Sequence, residues 1–233
     1  MNDVLICVAG DPSPQLRAKF GDYPHMFASA FGVDSIRTVD ARTEDVALET
    51  ASATHIIVTG SAASVTEWAP WMSHLADAVL AAAARGSHVI GVCFGHQLLG
   101  EALGGRVRRN PRGREIGTCP VSLTEAGRQS PLFCGLATPL LVQQTHQDEV
   151  HVLPESACVL AENEATPVQA FSFGTRVFGV QFHPEMSASF LRALAHSRED
   201  ALTAEGISIS SLRFHETEFG TALLRNFCSL PPP

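Results

Sequence analysis

The stretch His88-Val89-Ile90-Gly91-Val92-Cys93-Phe94-Gly95-His96-Gln97 decides how this sequence is read. Val89 to Val92 is apolar without alternation, as in a strand buried on both faces. A helix follows from about Gly95 to Leu103. Cys93 therefore falls at a strand-to-helix junction in the frame G-x-C-x-G, the thiol version of a nucleophile elbow. A residue on so tight a turn takes an uncommon backbone conformation, and glycines at 91 and 95 remove Cβ atoms that would clash. The turn sets the sulfur near the free N–H groups of a helix start, whose partial positive charge favours a thiolate. The Phe94 N–H points to the same spot and can donate to an oxyanion. A packed cysteine in an ordinary βα turn has the same bare pattern, so the chemistry needs a base.

Working outward, Val4–Ala9 and His55–Thr59 are further apolar strands, each stopped by glycine. A short strand is expected near Ser35–Val39, and helices around His25–Phe31 and Trp68–Arg85, the second ended by Gly86 as a C′ residue. Apolar strands alternating with helices predict an α/β fold with a parallel sheet covered on both faces. From Val107 to Phe182 the pattern changes to short β-rich segments: Glu115–Leu123, Leu140–Thr145, Ala157–Glu162, Val168–Phe173 and Val177–Phe182. These predict antiparallel strands added at one edge of the sheet. Past Pro184 the chain turns helical again (Ala188–Ala204, Glu216–Cys228) and ends in Pro231-Pro232-Pro233. With no repeat and no linker, one domain over residues 1–233 is expected, with a helical tail from about 187.

The base appears in Val177-Phe178-Gly179-Val180-Gln181-Phe182-His183-Pro184-Glu185. His183 closes an apolar strand, and Pro184 keeps the segment extended. Alternate side chains of an extended segment share a face, so Glu185 lies on the side of His183. A carboxylate there accepts from one imidazole nitrogen and fixes the tautomer. The other nitrogen is left to take the proton of Cys93.

Composition narrows the classes. The 233 residues are 45% hydrophobic and 17% charged, a globular balance. Lys+Arg 16 against Asp+Glu 24 gives −8, which argues against nucleic acid as a partner. No apolar run is long enough to span a bilayer. Met1-Asn2-Asp3 lacks the basic start of an export signal, so a cytoplasmic location is expected. Six scattered cysteines with no C-x-x-C pair do not suggest a disulfide or zinc framework. His146 and His151 form the closest histidine grouping but lack metalloprotease spacing, so no metal is expected.

The two stretches Gly91-Val92-Cys93-Phe94-Gly95-His96-Gln97 and Gly179-Val180-Gln181-Phe182-His183-Pro184-Glu185 resemble the paired motifs of class I (triad) glutamine amidotransferases. The resemblance runs from Val4 to about Glu185 and implies a flavodoxin-like three-layer fold with a central, mostly parallel sheet. It implies Cys93 as nucleophile, His183 as general base and acid, and Glu185 as the orienting carboxylate. Gly60, in Thr59-Gly60-Ser61-Ala62-Ala63-Ser64, then supplies the first oxyanion donor and Phe94 the second, although the family's proline is missing from that loop. Gln97 matches a position that touches bound glutamine. Thr145-His146-Gln147-Asp148 is similar to a stretch of the GMP synthetase amidotransferase domain, which makes His146 and Asp148 candidate substrate contacts.

The activity so implied is cysteine-dependent hydrolysis of a γ-glutamyl amide through a thioester, with no cofactor. Gly21-Asp22-Tyr23-Pro24-His25-Met26-Phe27 and Arg109-Asn110-Pro111-Arg112-Gly113-Arg114-Glu115-Ile116-Gly117 resemble stand-alone members, among them γ-glutamyl peptidases. Two alternatives stay open: a glutaminase subunit that delivers ammonia to a separate synthetase, and a catalytically silent binding module. Arg106, Arg108, Arg109, Arg112 and Arg114 form a basic cluster suited to a substrate carboxylate, a partner, or a solvated hairpin.

Overall fold

Val4–Val8 forms the first strand, β1, and all five of its residues are buried. Val4, Ile6 and Val8 face one hydrophobic cluster while Leu5 and Cys7 face another, the two-residue period of a strand covered on both sides. The computed structural model describes residues 3–33 and 36–231. In chain order follow α1 (Pro14–Phe20), α2 (Tyr23–Phe31), β2 (Arg37–Asp40), α3 (Val46–Thr50), β3 (His55–Val58), α4 (Pro70–Ala84) and β4 (His88–Val92). Next come α5 (Phe94–Ala102), β5 (Arg106–Arg109), β6 (Glu115–Leu123), α6 (Glu125–Gln129), β7 (Leu140–His146) and β8 (Asp148–Val152). The chain continues with β9 (Ala157–Glu162), β10 (Ala170–Phe173), β11 (Val177–Val180), α7 (Ala188–Ser197), α8 (Glu199–Ala204) and α9 (Phe219–Cys228).

The strands make a nine-stranded sheet in the order β2-β1-β3-β4-β11-β10-β9-β6-β7. Its first five strands are mutually parallel, and the strands beyond β11 pair antiparallel. A separate antiparallel pair joins β5 to β8. On one face lie Phe27 of α2 and Leu223, Leu224 and Phe227 of α9. On the other lie Val46 of α3, Met72, Leu75 and Val79 of α4, and Leu98 and Leu99 of α5. This is the parallel sheet covered on both faces that the alternation of elements predicted, and the flavodoxin-like three-layer arrangement that the resemblance implies. Each fully buried leucine or phenylalanine in those layers contributes about 1.5–3 kcal/mol.

Several expectations shift in detail. The strand near Ser35–Val39 is β2, beginning at Arg37, and Ser35 lies outside the described residues. The segment from Val177 is not only an antiparallel addition, because β11 pairs parallel with β4 in the register Val180↔Val92. That pairing fixes the site, since both strands then leave the sheet at the same end. The helix expected over Ala188–Ala204 breaks at Arg198, whose ψ of 18° separates α7 from α8. Two strands, β5 and β8, and three short helices, α1, α3 and α6, were not foreseen.

A third cluster gathers Leu16 of α1, Tyr23 and Met26 of α2, Ile116 of β6, Phe190, Leu191 and Leu194 of α7, and Leu202 of α8. It packs the helices after the last strand against the start of the chain. Tyr23, Leu194 and their neighbour Arg198 reach the cavity above the end of β4 from this layer.

Candidate active site

Cys93 follows β4 directly and has φ 52° and ψ −99°. Among the described residues no other non-glycine residue has a positive φ. Such a conformation costs of order 1–3 kcal/mol and persists only where its surroundings hold it. Here the Cys93 N–H donates to the Val180 carbonyl at 2.9 Å, and the Gln97 N–H donates to the Cys93 carbonyl at 3.1 Å. The two glycines of the elbow are required sterically. A Cβ on Gly91 would overlap the Gly95 carbonyl, and one on Gly95 would lie 2.5 Å from the Val58 carbonyl oxygen.

His183 sits three residues past the end of β11, and its N–H donates to the Gln143 carbonyl at 2.9 Å. Its Nδ1 meets Glu185 Oε1 at 2.7 Å, with both side chains buried. This contact sets the ring's orientation and leaves Nε2 as the nitrogen free to exchange a proton. Nε2 is itself buried, and the Cys93 sulfur is the polar group beside the ring on that side. Burial alone would depress the His183 pKa. The Glu185 carboxylate and then the Cys93 sulfur outweigh burial and carry it up to about 10.

Gly60 lies two residues past β3, against both side chains. A Cβ placed there would be 3.0 Å from His183 Cε1 and 3.8 Å from Cys93 Cβ. Only a glycine lets this backbone approach these two side chains so closely. Phe94 opens α5, so its N–H has no intrahelical acceptor. The structure therefore brings Cys93, His183, Glu185, Gly60 and Phe94 to one point at the carboxyl end of the parallel strands, where α/β sheets place ligands.

A cavity of about 300 Å³ opens at Cys93 and His183. Gln97, His146 and Asp148 all line it. Gln97 is buried, and its Nε2 donates to the Asp148 carbonyl at 3.0 Å and to Gln181 Oε1 at 3.1 Å. His146 has both nitrogens engaged, Nδ1 with the Asp148 carbonyl at 2.9 Å and Nε2 with Glu115 Oε2 at 3.1 Å. Glu115 also accepts from Asn163 and Gln169. Burial works against its carboxylate, but the His146 ring and these donors outweigh it and hold the pKa below the usual value. His146 thus braces the β7–β8 turn and offers no free nitrogen. Asp148 Oδ2 accepts from Ser64 at 2.7 Å, tying the carboxylate to the loop after Gly60.

Most of the basic cluster is neutralised by acids of the chain. Arg106 pairs with Glu101, Arg108 with buried Glu149, and Arg109 and Arg114 with Glu205. Of the five, only Arg114 lines the cavity. Sequence reasoning passed over three further lining residues, Tyr23, Ser64 and Arg198. Tyr23 stood inside a quoted motif, but nothing local marked its hydroxyl. Arg198 was hidden inside an apparently continuous helix.

Among the described residues no helix is long and apolar enough to cross a membrane. None of their His, Cys, Asp and Glu side chains form a group of three that could hold a metal ion.

The model of one family, "Glutamine amidotransferase class-I", matches residues 29–193. The glutamine amidotransferase-like protein YfeJ of Salmonella typhimurium is 42% identical over 119 residues, covering 51% of this chain and 49% of YfeJ. The chain thus spans about half the length of that relative. Gamma-glutamyl peptidase 4 of Arabidopsis thaliana is 29% identical over 195 residues, covering 80% of this chain and 77% of the peptidase. In fold, the crystal structure of a glutamine amidotransferase from Methylobacillus flagellatus superimposes with a TM-score of 0.76 at 18% identity, over 100% of this chain and 97% of that one. The matched segment contains the elbow, the His183–Glu185 pair and the loop at Gly60, and the chain belongs to the class I glutamine amidotransferases.

Proposed function

We propose that this protein hydrolyses a γ-glutamyl amide, glutamine or a γ-glutamyl peptide, with Cys93 as nucleophile, His183 as proton carrier and Glu185 as its orienting carboxylate. The observation that carries the reading is the His183 ring, buried and clamped at Nδ1 by Glu185 at 2.7 Å, with the Cys93 sulfur as its other polar neighbour. A ring held this way, with a pKa near 10, keeps its proton at neutral pH and places it next to the sulfur.

The sulfur attacks the γ-carbonyl, and the carbonyl electron pair moves to oxygen. The Gly60 and Phe94 N–H groups receive that oxyanion, a contribution for which one donor is worth roughly 10²–10³ in turnover. As the tetrahedral centre collapses, the C–N bond breaks, His183 passes its proton to the leaving nitrogen, and a γ-glutamyl thioester remains. Water then gives a proton to His183 and attacks the thioester, releasing glutamate and restoring the Cys93–His183 pair. Asp148 and Gln97 stand where they can hold the amino end of the glutamyl group.

The test combines trapping with turnover. A glutamine-analogue diazo-ketone is expected to add one adduct, located at Cys93 by mass spectrometry. Glutamine, γ-glutamyl dipeptides and glutathione are then compared with no other protein present. An unlabelled Cys93 together with no hydrolysis of any of them would falsify the reading. Ammonia delivery to a separate synthetase is the second reading, favoured by similarity to a glutamine-hydrolyzing GMP synthase subunit of Pyrococcus abyssi, 36% identical over 100 residues. Its mark is glutamine turnover that appears only when a synthetase is added.

A further inference from the structure

Two polar groups in the cavity belong to no part of the mechanism above, and both come from outside the matched segment 29–193. Tyr23 reaches in from α2 and Arg198 from the break between α7 and α8. The other cavity arginine, Arg114, is already paired with a carboxylate: Glu205 takes two hydrogen bonds at 2.7 and 2.9 Å, and Gln147 a third at 2.8 Å. Arg198 makes one hydrogen bond, to Thr145 Oγ1 at 3.3 Å, and has no carboxylate partner among the described residues. Burial first, and then the neighbouring Arg114 charge, lower its pKa. A half-buried guanidinium held near a second one, with most of its donors open, is stabilised by an anion. The Tyr23 phenol is pushed up by burial and by the charges of Glu185 and Cys93, so it stays a hydroxyl donor.

Position decides which anion. The leaving nitrogen must lie against His183, which protonates it. The chain that follows His183 supplies Met186, Leu194, Arg198 and Ala201 to the same cavity. The glutamyl amino end is assigned to Asp148, a carboxylate lining the cavity, which Ser64 holds from the loop after Gly60. We infer that Arg198 and Tyr23 form a carboxylate subsite for the leaving group, so that the substrate class is a γ-glutamyl peptide with a free carboxylate on the residue after the scissile bond. The inference rests on the hydrolase reading and narrows it: free glutamine, whose leaving group is ammonia, leaves this subsite empty.

The experiment compares kcat/KM for γ-glutamylglycine, γ-glutamylglycinamide and 4-aminobutyrylglycine, which lacks the glutamyl α-carboxylate. Wild type is expected to prefer the free acid over the glycinamide by roughly 10- to 100-fold, the range of a charge-assisted contact. In Arg198→Gln that ratio is expected to fall to within about threefold, and Arg198→Lys to recover part of it because the charge returns without the fork. Tyr23→Phe removes only the hydroxyl and lowers the same ratio by a smaller factor, which keeps the test open should the Arg198 variants melt early. A wild-type ratio near one, or a ratio that survives in Arg198→Gln, overturns the subsite and leaves the hydrolase reading intact. So does a loss in Arg198→Gln that is equal for acid and glycinamide but absent for 4-aminobutyrylglycine, because Arg198 would then be holding the glutamyl α-carboxylate. Failure of wild type to hydrolyse either γ-glutamyl compound, with Cys93 unlabelled, overturns both.

Discussion

At the scale of single residues, the site depends on Glu185 winning against burial. Remove its charge with Glu185→Gln and desolvation of the His183 ring is opposed only by the Cys93 sulfur, so the His183 pKa must fall from about 10. Activity that needs the His183 proton declines as pH rises through about 10 in wild type, and in the variant this limb moves to lower pH. Turnover falls as well, by roughly 10²–10⁴-fold, because the ring loses the partner that fixes its tautomer. A pH–rate profile checks both, and an unmoved alkaline limb would rule out the assigned role of Glu185. Gly60→Ala probes the same ring sterically. Its Cβ would be 3.0 Å from His183 Cε1, so the imidazole must shift a few tenths of an ångström. A turnover loss of about tenfold is expected with little change in melting temperature, since misplacement of a reacting group is costlier than local strain. Normal turnover in a folded Gly60→Ala would mean that this backbone does not border the reaction.

At the scale of elements, the active-site segment is held from behind by α9. Glycine at position 220 lets the first turn of that helix rest on the peptide after His183, because a Cβ there would overlap the Pro184 carbonyl. The Gly220→Ala variant must displace either α9 or the 183–185 segment, an overpacking cost of about 1–3 kcal/mol. For a chain of this size that lowers the melting temperature by roughly 3–10 °C, and turnover should drop with it. Melting and turnover that both match wild type would show that α9 does not brace the site. Nothing in the residues around Gly220 announces this contact, and that marks how far the sequence could be read. Elements with a strong local pattern were legible: β4 and the elbow from Val89-Ile90-Gly91-Val92-Cys93, and α4 from its alanine-rich periodicity ended by Gly86. Charged or short elements were not. Arg106-Val107-Arg108-Arg109 looks like a solvated charge run, yet it forms β5 because buried Glu149 of β8 pairs with Arg108 at 2.9 Å. The proposed nucleophile and base were legible because motifs carry them. Arg198 and Tyr23 were not, because long-range packing of α2 and α7 brings them to the cavity, and no local spacing records it.

For the whole molecule, the histidines make stability depend on acid in a way that can be calculated. His96 is completely buried against Phe171, with ring centroids 5.0 Å apart, and burial takes its pKa down to about 3. His55 lies beside His88 under α9, and burial, with the His88 charge adding to it, takes its pKa down to about 4. Both stay neutral in the folded protein at pH 5, whereas in the unfolded chain an ordinary histidine is protonated there. Their folded pKa values lie below 6.5, so the stability they allow is complete above that pH and lost as pH falls toward 4 and 3. Between pH 7.5 and 5 each costs about 2 kcal/mol, from 1.36 kcal/mol per pH step below 6.5. His183 works in the opposite sense. Its folded pKa is raised to about 10, so its contribution is complete below 6.5 and lost as pH rises through about 10. Over the same interval it returns about 1.3 kcal/mol, so these three histidines together give a loss of roughly 2–3 kcal/mol on acidification to pH 5, to which His88, its pKa also lowered by burial, adds in the same direction. Urea unfolding at the two pH values measures this directly. His96→Gln, which keeps a polar side chain of similar size but cannot titrate, is expected to remove about 2 kcal/mol of the pH dependence even if it lowers stability at both values. A stability that is flat between pH 7.5 and 5 would mean that the buried histidines are solvated or charged in the folded state, and that the core around α5 is looser than its packing indicates.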